Sequence, residues 1–150
     1  MATSKLQPVK SAAAEKNNAA KVTLKYEDEH FIDSLKPVWN YSLFTDEDII
    51  NFKKGTFYNG YQKFGSHCRQ VLNTPGFYFA VWAPNATAVS VIGNFNGWKE
   101  QLHPLFVRLD KSGIWEGFIP NFKEGETYKY YINGYKGAVS KKNRSLRPVL

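Results

Sequence analysis

Trp98, Lys129, Tyr131 and Asn133 are the residues of this 150-residue chain whose types and spacing could do chemistry together. A flat, hydroxyl-rich ligand such as a sugar offers C–H faces that stack on aromatic rings and hydroxyls that need amide or charged partners. Lys129, Tyr131 and Asn133 alternate with Tyr128, Tyr130 and Ile132, so a strand there puts the first three on one face. Gly134-Tyr135 follows as a turn and adds another aromatic. Asn96 and Trp98 belong to Gly93-Asn94-Phe95-Asn96-Gly97-Trp98, a loop that a two-layered fold can bring nearby. The expected binding surface is therefore Trp98, Lys129, Asn96, Asn133, Tyr135 and Tyr131. Trp82 and Trp115 fall inside strand patterns and are expected in the core.

Other chemistries find little support. His30, His67 and His103 are scattered and have no metal-ligand spacing with one another or with Cys68. His67 and Cys68 are adjacent, and neighbours on a strand point to opposite faces, which argues against an activated thiol. No glycine-rich phosphate loop precedes a helix, and no Gly-x-Ser-x-Gly elbow occurs. Glu124 and Glu126 sit in a turn, where carboxylates are normally solvated. The expectation is no catalytic residue, no metal and no cofactor.

The elements that must carry the surface are read from periodicity. Phe77, Phe79 and Val81 alternate with Tyr78, Ala80 and Trp82, Pro84-Asn85 breaks the run, and Val89, Val91 and Ile92 begin a second one. Leu105, Val107 and Leu109 form another alternation, Trp115, Gly117 and Ile119 a fourth, and Tyr128 to Asn133 a fifth. Short alternating runs separated by turns at roughly ten-residue intervals are the pattern of an antiparallel sandwich. The fold expected is mainly β: an antiparallel, immunoglobulin-like β-sandwich with a short helical N-terminal extension. Phe31, Ile32 and Leu35 recur at helical spacing within Glu27 to Leu35, and Thr45-Asp46-Glu47-Asp48 reads as a capped helix start running towards Gly55. The organisation that follows is a disordered lead over 1–25, a helical and aromatic extension over 26–69, the binding sandwich over 70–137 and a basic tail over 138–150.

Charge sharpens the choice of partner. The net charge of +7 lies in the tails: residues 1–25 carry five lysines against one glutamate, residues 136–150 carry three lysines and two arginines, and the remainder sums to −2. A nucleic-acid domain displays its basic residues on the folded surface, so neither nucleic acid nor membrane is expected as a partner. Such a role would have to run through the tail segment KKNRSLR. No window approaches the roughly 20 apolar residues of a membrane span, no apolar signal region follows the N-terminal lysines, and a single cysteine fits a reducing compartment. Localisation in the cytoplasm is expected, and the sequons at Asn85 and Asn143 are read as chance.

These residues carry a family resemblance. Tyr61-Gln62-Lys63-Phe64-Gly65 with His67, Gly76-Phe77-Tyr78, Trp82-Ala83-Pro84-Asn85-Ala86, Gly93-Asn94-Phe95-Asn96-Gly97-Trp98, Gly113-Ile114-Trp115-Glu116, Ile119-Pro120 and Tyr128-Lys129-Tyr130 resemble the N-terminal region of 1,4-α-glucan (glycogen) branching enzymes, over about Phe31 to Gly137. The module is similar to the family 48 carbohydrate-binding domain that precedes isoamylase-type enzymes. The resemblance implies that Trp98 stacks on glucose and Lys129 bonds its hydroxyls, with an α-1,4/α-1,6-glucan (glycogen or starch) as ligand and the catalytic barrel of a parent enzyme as partner. Tyr135 stands where the strongest glycogen binders carry a second Trp, a departure that implies weaker binding. A (β/α)₈ barrel takes roughly 250 residues, and its retaining chemistry needs two carboxyl groups about 5 Å apart. This sequence resembles only the part ahead of such a barrel, so the chain alone is expected to be inactive, a truncated or frame-altered product. A stand-alone glycogen-targeting or regulatory adaptor is the alternative.

Overall fold

The computed structural model describes residues 23–26, 30–135 and 139–145. Two compact units are present, 1–36 and 37–150. The first contains a hairpin of β1 (Thr23–Tyr26) and β2 (His30–Asp33), in which Leu24 faces Ile32 in register. This replaces the helix expected over Glu27 to Leu35 and the last residues of the expected disordered lead. A helix of two turns gains too few hydrogen bonds to offset its nucleation, whereas strand pairing satisfies both backbones at once. The rest of the lead lies outside the described residues.

The second unit holds the sandwich. Its helix α1 (Asp46–Lys54) starts as the sequence suggests: Thr45 Oγ1 accepts from the Asp48 amide, Asp48 Oδ2 accepts from the Thr45 amide, and Gly55 closes the helix. Seven strands then build two antiparallel sheets. One has the order β3 (Gly65–Val71), β4 (Thr74–Trp82), β7 (Ile114–Pro120) and β6 (Phe106–Val107). The other has β8 (Thr127–Gly134) between β5 (Ala86–Gly93) and β9 (Val139–Ser145). The described residues thus bear out the mainly antiparallel β fold, with one short α-helix among them.

Burial follows the period of two. Phe77, Phe79 and Val81 of β4 and Trp115 and Ile119 of β7 pack against Val89 and Val91 of β5 and Tyr128 and Tyr130 of β8, forming one core between the sheets. Phe79 and Tyr128 meet edge to face with centroids 4.9 Å apart, a geometry aromatic rings favour. Tyr78 and Phe118 point to the other side of their sheet and are nonetheless buried, because Trp39 and Tyr41 cover them.

Trp115 is a core residue, as expected; Trp82 is not. It is 53% exposed, its indole N–H donates to the Ser112 carbonyl, and it lies edge-on to Phe52. Alternation places Trp82 on the face that the helix covers, and that cover ends at the strand terminus. With Phe52, Phe64, Gly65, Ala80 and Tyr130 it lines a cavity of about 300 Å³.

Two boundaries also differ from the sequence reading. The expected seam at 69/70 falls inside β3, which pairs with β4 from Gly65↔Ala80 onward. The basic segment after 138 supplies β9, which pairs with β8 from Asn133↔Val139 to Thr127↔Ser145. Lysine is a common guard on sheet edges, where a charged side chain discourages pairing with another chain. An edge strand of this kind shows no hydrophobic alternation.

Candidate carbohydrate-binding site

Strand β8 is the spine of the site. Its even-numbered tyrosines, Tyr128 and Tyr130, fill the core, so Lys129, Tyr131 and Asn133 must face outward, and all three are half-buried on that face. β5 brings the loop residue to them. Ile92 pairs with Lys129 and Gly93 with Tyr128, so the turn leaving β5 emerges beside Lys129.

That turn is tightly built. Residues Asn94–Asn96 form one 3₁₀ turn, and Gly97 and Trp98 follow with φ of +65° and +63°. Glycine accepts this left-handed conformation freely, but in tryptophan it costs about 1–2 kcal/mol, so something must hold Trp98 there. The Trp98 amide donates to the Gly93 carbonyl at 2.9 Å and its indole N–H to Asn94 Oδ1 at 2.8 Å. Gly93 itself admits no side chain: a Cβ would lie 2.5 Å from the Thr127 carbonyl oxygen. The turn therefore fixes an indole that remains 39% exposed.

Trp98 and Lys129 meet. The Lys129 ammonium lies 5.4 Å from the centre of the Trp98 ring, within cation–π range. One step along the same face, the Lys141 ammonium from β9 lies 5.8 Å from the centre of the Tyr131 ring. Lys141 was missed in the sequence because nothing in Ala138 to Arg144 marks a strand. Successive outward residues of β8 are about 7 Å apart, so the two lysine–aromatic pairs form consecutive positions of one polar, aromatic track. Asn133 continues it, its carbonyl accepting from Thr87 Oγ1 at 3.1 Å.

The remaining two expected residues are placed differently. Tyr135 is 72% exposed, but it follows Gly134 at the far end of β8. Strand rise puts that end about 17 Å from Lys129, so Tyr135 lies beyond reach of Trp98. Asn96 is a correction to the expected surface: it is 7% exposed and its amide is committed inside the protein. Its Oδ1 accepts from the Gly93 amide at 3.0 Å, and its Nδ2 donates to the Val91 carbonyl at 2.9 Å and lies 3.0 Å from His103 Nδ1. Asn96 braces the turn that carries Trp98. Among the described residues no group of His, Cys, Asp and Glu is placed to hold a metal ion.

A second polar cluster lies on the covered side of the other sheet. Glu116 is buried and accepts from Tyr78 Oη at 2.5 Å, Ser42 Oγ at 2.9 Å and Arg108 Nη1 at 2.7 Å. Arg108 also donates to Asp110 at 2.7 Å. Burial pushes the Glu116 carboxyl above its ordinary value, against the pull of Tyr78 and Arg108, while Arg108 stays charged because its two carboxylate partners outweigh its own desolvation. Every member is bonded within the cluster, which ties Ser42 to the sheet.

A two-sheet antiparallel sandwich with an outward track of lysine–aromatic pairs has the make-up of a sugar-binding module, stacking surface and hydroxyl partners together. Residues 63–147 match the family Carbohydrate-binding module 48 (Isoamylase N-terminal domain), and the chain belongs to that family. It is 41% identical over 99 residues to the 1,4-alpha-glucan branching enzyme GlgB of Trichodesmium erythraeum, a match covering 66% of this chain and 12% of that enzyme. To the corresponding enzyme of Desulfitobacterium hafniense it is 48% identical over 90 residues, or 60% of this chain and 14% of that one. These relatives bear out the resemblance to a branching-enzyme region; the matched segment is a small part of their length. A Klebsiella pneumoniae pullulanase crystallised with maltotriose is 25% identical, with a TM-score of 0.38, over 54% of this chain and 8% of that one. No described helix is long and apolar enough to cross a membrane.

Proposed function

We propose that the sandwich binds an α-1,4-glucan across the outer face of β8, with Trp98 as the stacking platform and Lys129 as the hydroxyl partner beside it. The observation that carries this reading is the convergence of an exposed, fixed indole and an ammonium 5.4 Å from its centre, delivered by two different strands. A glucose ring laid on the exposed part of the indole brings its hydroxyls within reach of that ammonium, which donates up to three hydrogen bonds. Tyr131 with Lys141, and then Asn133, extend the contact to further sugar units, and Tyr135 serves a chain that runs the full length of the strand. Asn96 acts beneath the surface. The branching enzymes among the relatives support an α-1,4-glucan as the ligand.

The same relatives support a role in which the module presents a glucan chain to a catalytic barrel that would act on it, the chemistry residing in the barrel. A single cysteine supports work in the cytoplasm. The test is electrophoresis of the purified chain through gels containing glycogen or amylopectin. Wild type is retarded, and Trp98→Ala and Lys129→Ala are retarded markedly less; equal retardation of all three would defeat the assigned face.

A further inference from the structure

The orientation of the Asn96 side chain fixes the protonation state of His103. The Gly93 amide can only donate, so the Asn96 atom facing it is Oδ1; the Val91 carbonyl can only accept, so the atom facing that is Nδ2. The other proton of Nδ2 points to His103 Nδ1 at 3.0 Å, which must present a lone pair. His103 is therefore neutral, with its proton on Nε2. The ring stands edge-on to Phe95 at 5.0 Å, and the His103 carbonyl accepts from the Val91 amide. Thus one histidine, two residues of the turn and β5 are joined at the turn that carries Trp98.

We propose that His103 is a positioning residue for the Trp98 platform: its neutral Nδ1 holds Asn96, and through Asn96 the turn that presents the indole beside Lys129, so that protonating His103 weakens glucan binding. The inference rests on the glucan reading given above. An imidazolium donates from both nitrogens, so its Nδ1–H would oppose the Asn96 Nδ2–H. Asn96 cannot answer by rotating its oxygen towards the ring without losing Val91 and Gly93. The turn that holds the strained Trp98 then loses one of the bonds that fix Asn96.

The surroundings offer the charged ring no compensation. The turn contributes Phe95 and Asn96; β5 carries no ionisable side chain; the loop after Trp98 carries Lys99 and Glu100; and β8 carries Tyr128, Lys129, Tyr130 and Tyr131. None makes an ion pair with His103 among the described residues. Burial pushes His103 below its ordinary value of 6.5. With the folded value lowered, the brace is complete above pH 6.5 and is lost as the pH falls through the lower, folded value.

The experiment measures amylopectin binding of the whole chain by gel retardation at pH 7.5 and at a pH below the point at which the His103 ring signals titrate by NMR, for wild type, His103→Ala and His103→Asn. It also follows the Trp98 indole N–H by NMR without glucan, the signal being assigned by its loss in Trp98→Ala. Wild type should bind about fivefold more weakly at the lower pH, where His103 is protonated, the weight of one buried hydrogen bond. His103→Ala should be weak at both pH values. His103→Asn, whose carbonyl can accept where Nδ1 did and takes no proton, should restore binding and abolish its pH dependence. The Trp98 indole signal should move as His103 titrates, and stay still in His103→Asn. Equal wild-type binding at both pH values, an acid loss shared by His103→Asn that would point to a group such as His67, or an indole indifferent to pH would each overturn the proposal. Absence of retardation at every pH, with the indole still following His103, would defeat the glucan reading and leave the brace standing.

Discussion

The ammonium of Lys129 sits 5.4 Å from the centre of the Trp98 indole although Trp98 stands in the turn after β5, Lys129 lies in β8, and β6 and β7 come between them in the chain. The pairing Ile92↔Lys129 is what makes the meeting possible, because the turn that bears Trp98 begins at the next residue of β5. A cation over an indole at an exposed site is worth about 0.5–1 kcal/mol, enough to hold both groups ready without closing the surface.

The pair should therefore act as a unit. Trp98→Ala and Lys129→Ala are each expected to reduce amylopectin affinity severalfold, and the double variant to lose less than the two single losses added, as contacting residues do. Lys129→Arg keeps a cation over the ring and should retain most of the binding. Since Trp98 is partly exposed and held in a costly conformation, its replacement should change stability by less than about 1 kcal/mol. Affinity electrophoresis and urea unfolding on the same four proteins check both statements.

Asn96→Ala should weaken binding although the side chain is buried. It removes the bonds to the Gly93 amide and the Val91 carbonyl and leaves both backbone groups shielded from water. An unsatisfied buried group costs about 1–3 kcal/mol, so both the unfolding midpoint and the retardation by amylopectin should fall. A normal affinity with a lowered midpoint would confine Asn96 to stability alone.

The Glu116 cluster makes a prediction with a sign in pH. Burial raises the Glu116 carboxyl in the folded protein; a raised folded value means that stability is complete below the unfolded value, about 4.3, and declines as the pH rises through the folded one. Arg108→Leu removes a charge and a hydrogen bond that hold the value down, and strands a buried carboxylate. The expected loss at pH 7.5 is about 3–5 kcal/mol. Measured against wild type by chemical unfolding, that loss should shrink towards pH 5 as Glu116 takes up a proton; a loss constant with pH would mean that Glu116 is not charged in the variant.

Much of this was legible in the chain. Alternation at Phe77 to Trp82 and at Tyr128 to Asn133 identified the core and the outward face of β8, because a side chain's direction on a strand is set by its position alone. Thr45 and the three carboxylates after it announced α1, since a helix start needs local groups for its free amides. The same local reasoning failed at Phe31 to Leu35, where Phe31 and Ile32, at a spacing compatible with a helix, belong to a strand whose partner lies earlier in the chain, and at Trp82, where the alternation was right and only the extent of the covering layer was unknown.

What the sequence determined by itself was the set of strands and the residue types able to meet a sugar, because periodicity and side-chain chemistry are local properties. Only the tertiary structure decided which of those residues share a surface. It put Trp98 beside Lys129 and sent Tyr135 to the other end of β8. It turned Asn96 inward to His103, and it recruited Lys141 from a segment with no hydrophobic signal. Each of these follows from strand register and from the hydrogen bonds of one turn, and a register exists only once two distant stretches of chain have paired.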